Sequence, residues 1–315
     1  MSIKIITDST ADLPEEIVDK YGIQIVPAYL VLNGKTYRDG VDITPDEIYH
    51  HMVSTEQTIT TSQPSPGDFL EVYRSALKNF EHIISIQATG RLSGIYSSAV
   101  SAKNMIEDSH RIRVIDSRLT SMGLGLLVAL AGRLSQAGGT IDKIVTDVKT
   151  AIDNTHLWGS FDTLKYLYRG GRIGKAKALL GGMLNIKPVL TMREGEIFPI
   201  GFARTTNRAI DRLVDLASSI KGIQDVAVVH STTPDEAKIL KNRLSHLVFS
   251  KNISISRLGA GLGVHGGPGA LIVAARKKSE EPSESGTIEQ VSDKKLFTFP
   301  QMPEIKLPKL RFALT

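Results

Sequence analysis

Short apolar runs alternate with amphipathic stretches from the first residues to about residue 277, and nothing else in the chain constrains its fold as strongly. Runs rich in Ile, Val and Leu at 4–7, 23–32, 82–87, 111–116, 226–230, 253–257 and 271–275 read as strands. Between them, apolar residues recur at helical spacing over 15–21, 45–53, 67–79, 97–107, 121–136, 142–152, 205–220 and 234–246. Strand then helix, many times over, predicts α/β units with mainly parallel sheets. Leu30-Val-Leu-Asn-Gly-Lys-Thr-Tyr37 and Thr191-Met-Arg-Glu-Gly-Glu-Ile-Phe198 read instead as hairpins, so the sheets are expected to be partly mixed.

At 315 residues the chain has room for two such domains. A boundary near 153–158 gives one α/β domain over 1–155 and a second over 156–278. Beyond it, Ser279-Glu-Glu-Pro-Ser-Glu-Ser-Gly286 reads as a linker, and prolines at 300, 303 and 308 break up the apolar residues near the C-terminus. The stretch 279–315 is therefore expected to be a linker with an extended or disordered tail.

Several function classes drop out at this point. There is no cysteine, hence no disulfide, thiolate metal site or cysteine nucleophile. The net charge of +5 is mild and its basic residues are interspersed with acids, without the aromatic-and-basic platform of a nucleic-acid binder. The longest apolar run, near 123–131, is too short to span a bilayer, and the opening Met-Ser-Ile-Lys-Ile-Ile-Thr-Asp turns polar too soon for a signal peptide. A cytoplasmic protein is expected, with no metal and no cofactor. His50-His51 reads as surface, and no histidine has metal-ligand spacing.

Hydroxyl side chains are the surplus that composition leaves unexplained. Thr44-Pro-Asp-Glu47, Ser65-Pro-Gly-Asp68 and Thr233-Pro-Asp-Glu236 carry helix-start signatures, and Asp12-Leu-Pro-Glu15 has a related shape. Capping accounts for Ser65 but not for Thr60, Thr61 and Ser62 just before it. Other strands also run out into hydroxyls, at Thr7-Asp-Ser-Thr10, Ala88-Thr-Gly-Arg-Leu-Ser93 and Asp116-Ser-Arg-Leu-Thr-Ser121. Taken singly, each is a cap or turn former. An open parallel sheet gathers its strand ends around one crevice, which would pool Ser9, Thr10, Thr89, Ser93, Ser117 and Ser121 with Thr61 and Ser62. Neutral O–H and N–H donors of this kind suit a carboxylate.

Phosphate-binding signatures are weak by comparison. Gly171-Arg-Ile-Gly-Lys175 lacks the P-loop spacing, and Gly261-Leu-Gly-Val-His-Gly266 runs on into a strand-like segment where a dinucleotide fold needs a helix. His265 stands among six glycines between 259 and 269, either as a donor or general acid facing the crevice or as an ordinary histidine in a glycine-rich turn. Asp8 and Asp116, at strand ends, read as fixing nearby loop N–H groups. A rival reading makes them bases for His265 in a hydrolase or phosphoryl-transfer enzyme.

A set of motifs in order gives the chain a family likeness. They are Thr7-Asp-Ser-Thr-Ala-Asp-Leu-Pro14, Thr61-Ser-Gln-Pro-Ser65, Leu92-Ser-Gly-Ile-Tyr-Ser-Ser-Ala99 and Val114-Ile-Asp-Ser117. Leu164-Lys-Tyr-Leu-Tyr-Arg-Gly-Gly-Arg-Ile173, Leu184-Asn-Ile-Lys-Pro188 and His265-Gly-Gly-Pro-Gly-Ala270 continue the series. Over roughly 3–276 the sequence resembles the DegV family of bacterial fatty-acid-binding proteins. The resemblance implies two α/β domains with a long-chain fatty acid held between them. Thr61, Ser62, Ser93, Gly94 and His265 would meet its carboxylate. It further implies a non-catalytic carrier that presents the acid to a separate ATP-dependent fatty acid kinase, with Arg172 and Arg204 serving the phosphate or the kinase. The segments 123–131 and 178–184 are candidates for the apolar tunnel. Ile95, and Gly266 after the histidine, depart from residues more usual in similar proteins.

Overall fold

The structure is a computed structural model, described for residues 2–55, 59–179, 186–248 and 253–278. Thirteen strands and ten α-helices occur among the described residues. The chain begins β1 (Ile3–Asp8), α1 (Glu15–Tyr21), β2 (Gln24–Val26), β3 (Tyr29–Leu32), β4 (Lys35–Arg38), α2 (Pro45–Ser54) and β5 (Thr60–Ser62). It continues with α3 (Pro66–Leu77), β6 (His82–Gln87), α4 (Ile95–Asn104), β7 (Ile112–Asp116), α5 (Ser121–Gln136) and α6 (Ile141–Asp153). Next come β8 (Thr155–Ser160), α7 (Lys165–Arg169), β9 (Lys187–Arg193), β10 (Glu196–Ala203), α8 (Thr206–Ser218) and β11 (Ile223–His230). The last elements are α9 (Pro234–Leu244), β12 (Ser254–Arg257), α10 (Ala260–Gly266) and β13 (Leu271–Lys277). The expected tail over 279–315, and most of the candidate tunnel segment 178–184, lie outside the described residues.

The α/β class and the mixed sheets expected from the sequence are both present. A four-stranded sheet, β2-β1-β6-β7, is parallel throughout. A six-stranded sheet runs β10-β9-β8-β13-β11-β12 and is antiparallel except at β11/β12. Parallel pairing is thus concentrated in the first sheet. In the second, the Glu194-Gly195 turn makes β9 and β10 the expected hairpin, with both turn residues at positive φ. The other expected hairpin forms β3 and β4, and β5 joins them in a small antiparallel sheet.

Packing explains the long apolar run at 123–131. It lies in α5, where eleven of the sixteen residues are buried. One core contains Met122, Leu124, Leu127 and Val128 of α5, Ile5, Ile84, Ile86 and Ile115 of the four-stranded sheet, and Leu157, Val229 and Ile272 of the six-stranded sheet. A helix covered on both sides needs apolar residues all round, and α5 has them. The candidate tunnel segment 123–131 thus packs as core, and none of its residues lines either of the two cavities described below. The outer faces are covered in the same way, α3 and α4 closing one sheet and α8 and α9 the other.

Expected helix starts hold at two of the four sites. Thr44 and Ser65 form full capping boxes with Glu47 and Asp68. Thr233 makes no side-chain cap, although Pro234 opens α9. Asp12 does not cap α1 at all: it sits at φ 51° and bonds residues far away in sequence.

Candidate functional site

Three separate elements bring the site together. β5 pairs Thr61 with Leu30 and Ser62 with Tyr29, which fixes both hydroxyl residues on the small sheet. That sheet, α2 and α10 share a core of Leu30, Ile43, Ile48, Ile59, Ala260 and Val264. The shared core holds His265 on α10 with its Nε2 2.8 Å from Thr61 Oγ1. Residues 204 apart in sequence are joined by this bond.

The loop after β6 supplies the third part. Ser93 lies there, its Oγ accepting the Ile95 N–H at 3.3 Å, and Gly94 caps α4. A Cβ at Gly94 would stand 2.9 Å from Gln63 Nε2, so this loop lies directly against the side chain that follows β5. On its other side the loop is latched to the β9–β10 turn, where Thr89 donates to the Gly195 carbonyl at 3.1 Å.

α10 is short and glycine-rich, a composition poor at forming helix by itself. Its surroundings account for both features. Asp39 accepts the N–H groups of Ala260 and Gly261, and Asp12 accepts that of Gly259 at 2.8 Å. A Cβ on Gly263 would stand 2.8 Å from Tyr49 Cζ, and the Tyr49 hydroxyl donates to the Leu258 carbonyl at 3.0 Å. His265 is therefore on a pinned helix, not in the open glycine-rich turn the sequence suggests. The apparent dinucleotide signature consists of glycines inside this helix, and no phosphate-binding turn precedes it.

These carboxylates are costly to bury. Burial pushes Asp12 up to about 8, against bonds from Ser121 Oγ at 2.5 Å and from Gly259 that favour its charged form. Asp39 is raised by the same cause, opposed by the Ser9 hydroxyl and the α10 N–H groups. The imidazole of His265 moves the other way. Burial first, and the Arg172 guanidinium second, lower it to about 4, so the ring is neutral at physiological pH. With its proton on Nε2, His265 donates to Thr61, whose own O–H is then left to donate to a ligand. Its Nδ1 is buried with no hydrogen-bond partner among the described residues.

Two cavities meet at this point. One has a mainly apolar wall that includes Leu92, Ile95, Phe161, Leu167, Ile197, Leu258, Leu262 and Ile272. Thr61, Ser62, Gln63, Ser93, Arg172 and His265 also line it, as do Thr10, Thr120 and Ser121. The second is a polar recess between the end of α2 and α7, with Ser54, Thr60, Lys165 and Arg169 on its wall. Thr61, Arg172 and His265 border both. Arg172 bonds the carbonyls of Leu92 and Gly170 and makes no ion pair among the described residues. The combination can hold one anionic oxygen pair, its charge met by Arg172 and its lone pairs by hydroxyls.

The structure divides the hydroxyls that the sequence pooled. Thr10, Thr61, Ser62, Ser93 and Ser121 reach the apolar cavity. Ser9 instead serves Asp39 and the Ala28 N–H, Thr89 holds the hairpin turn, and Ser117 closes a local turn with Leu119. Asp8 accepts N–H groups of Thr10 and Ala88, and Asp116 those of Gly90 and Arg118. Both thus fix loops, and neither lines the cavities nor bonds His265. Arg204 is exposed after β10 and lines neither cavity. Ile95 and Gly266 both border the apolar one. Sequence reasoning missed Phe161, Ile197 and Leu262, because an apolar residue facing a cavity carries the same signal as one in a core.

Comparison with known proteins agrees with this architecture. Residues 2–278 match the family model described as "Uncharacterised protein, DegV family". A DegV domain-containing protein of Caldanaerobacter subterraneus is 38% identical over 281 residues, covering 88% of this chain and 99% of that protein. Among solved structures, a Thermus thermophilus DegV family protein described by its fatty acid binding superposes with a TM-score of 0.83 at 34% identity, covering 88% of this chain and 100% of that one. A stearic acid-binding protein of Eubacterium ventriosum gives 0.79 at 29% identity, over 87% and 98% of the two chains. With the model matching nearly the whole described chain, and the relatives matched almost end to end, this protein belongs to the DegV family.

Proposed function

We propose that the protein binds one long-chain fatty acid, with the acyl chain in the apolar cavity and the carboxylate at Thr61, Ser62, Ser93, Gly94 and His265. The observation that carries this reading is the apolar cavity bordered by a neutral Thr61–His265 pair and by Arg172, a cation with no carboxylate partner among the described residues. Fatty acid binding by solved relatives supports it. Burying each methylene contributes about 0.8 kcal/mol, so the chain supplies most of the affinity and the polar groups orient the head.

The protein acts as a carrier, not as the catalyst, and presents the acid to a separate ATP-dependent fatty acid kinase. In that transfer a carboxylate oxygen bonds the γ-phosphorus of ATP while the bond to the departing ADP breaks. The shared border at Arg172, with Lys165 and Arg169 on the recess wall, supports phosphoryl oxygens arriving from the polar side.

Organic extraction of the purified protein, with mass spectrometry of the extract, should recover about one fatty acid per chain. A protein that is empty and takes up no fatty acid in solution overturns the reading. Turnover of an acyl ester or phosphate by the protein alone, abolished in His265→Ala, would overturn the carrier role.

A further inference from the structure

The six-stranded sheet carries a further pocket that fatty acid binding does not use. β8 is antiparallel to β13 and β13 to β11, while β8 is antiparallel to β9 and β9 to β10. β8, β10 and β11 therefore end at one edge, and α8 and α9, which follow β10 and β11, both start there. Ser160, Asp162, Lys187, Thr206, Thr233 and Glu236 line a pocket at this edge, between the two helix starts. Ligands of open α/β sheets collect at such an edge.

This pocket lies on the opposite face of the sheet from the apolar cavity. Side chains alternate along β8 and β13. Gly159 and its partner Ile272 face the Phe161 ring and the core containing α5. Trp158 and Leu271 pack instead into the core under α8 and α9, and Ser160 pairs with Leu271 on that side.

Several donors at the pocket lack an acceptor. Ser160 is 3% exposed, and its hydroxyl has no hydrogen-bond partner among the described residues. Thr233 stands at the start of α9 without capping it, and its buried Oγ1 is also unpartnered among the described residues. The first-turn N–H groups of Asp235 and Glu236 are thereby left open. So are those of Thr206 and Asn207 in α8, where the Thr205 hydroxyl takes only that of Arg208. Lys187 spends one of its three N–H donors on Asp162 and neutralises that carboxylate.

We propose that this pocket binds a small phosphate-bearing ligand, its phosphoryl oxygens seated between the N-termini of α8 and α9 and against Ser160 and Lys187. Two helix dipoles and an ammonium favour an anion there. The donors come from β8, β9, α8 and α9, more directions than the two oxygens of a carboxylate can meet, and they suit a tetrahedral group. Glu236, on the same wall, makes no ion pair among the described residues. It accepts the hydrogen of a phosphate that keeps a proton and repels an ion that has none.

The test is titration of inorganic phosphate into the full-length protein at constant ionic strength and about pH 6, where the ion keeps a proton. Amide shifts in nitrogen-15 spectra report where it binds. Saturable shifts are expected at Thr206, Asn207, Asp235 and Glu236. Ser160→Ala should weaken binding about two- to tenfold, and Lys187→Met combined with Asp162→Asn about tenfold or more. Glu236→Gln removes a repelling charge at a half-buried position and should tighten binding about two- to fivefold. Methyl phosphate shifting the same amides assigns the pocket to phosphate esters, whereas its exclusion assigns it to the free ion; both uphold a phosphate site. No saturable shift at these amides, equal saturation by acetate, or an affinity unchanged in all of the folded variants overturns the proposal. None of these outcomes bears on fatty acid binding, which uses the other face of the sheet.

Discussion

Replacing Gly170 with alanine should separate the head-group site from the rest of the protein. Gly170 comes directly after α7 with φ −75°, a conformation that alanine adopts without strain. Judged by backbone alone the change is stabilising by about 0.4–1 kcal/mol. The new Cβ, however, would stand 2.7 Å from His265 Cε1 and closer still to Nδ1. Relief to an ordinary carbon–carbon separation displaces the imidazole by about 1 Å. The 2.8 Å bond to Thr61 then stretches beyond about 3.6 Å and ceases to be a hydrogen bond. Losing a hydrogen bond that bears on a charged head costs about 1.5–3 kcal/mol, or a 10- to 150-fold weaker affinity. Calorimetric titration with stearate should show that loss in a variant that still unfolds cooperatively on heating. Methyl stearate, which keeps the chain but has no anionic head, should bind both proteins alike. Undiminished stearate affinity in Gly170→Ala, or an equal loss for the ester, would refute the assignment of His265 to the head group.

Three further outcomes rest on individual contacts. Thr61→Ala combined with Ser93→Ala should reduce kinase-dependent acyl phosphate formation more than acyl binding; equal losses, measured by phosphate transfer and by titration, count against a head-group role. Asp12, raised from 3.8 to about 8, contributes stability that is full below pH 4 and lost as pH rises toward 8. Asp12→Asn mimics the protonated acid, so its advantage over wild type in urea unfolding should grow across that window, and parallel curves would contradict the burial argument. Gly195→Ala forces a side chain at φ 82° against Thr89 and Arg91 and should cost about 1–3 kcal/mol, read as a lower urea midpoint.

How much of this was legible in the sequence depended on whether the signal was local. The bounds of α1, α5 and β6 agree with the periodicity to the residue, because each is a run whose apolar spacing or β-branched content is complete in itself. β5 and α10 were invisible. Thr60–Ser62 is a strand only because β3 offers it an edge, and Ala260–Gly266 is a helix only because Asp12, Asp39 and Tyr49 hold it. Asp12 carried the spelling of a helix cap, yet its partners are Ser121 and Gly259. Half of the site could be read for the same reason. Hydroxyls left over after capping pointed to Thr61, Ser62 and Ser93, and the glycine cluster pointed to His265. Nothing in the order of residues says that Phe161 faces a void.

The bond between Thr61 and His265 also bears on when the protein can first hold its ligand. A ribosome adding about 5–20 residues per second makes His265 about 10 to 40 seconds after Thr61, given the 204 residues between them. Until α10 emerges and docks, β5 has no histidine to face and the apolar wall lacks Leu258, Leu262 and Ile272. On the proposed function, a nascent chain at that stage lacks half of the fatty-acid site. Uptake of a fatty acid would then belong to the finished molecule, and an occupied cavity would report that both ends of the described chain have folded.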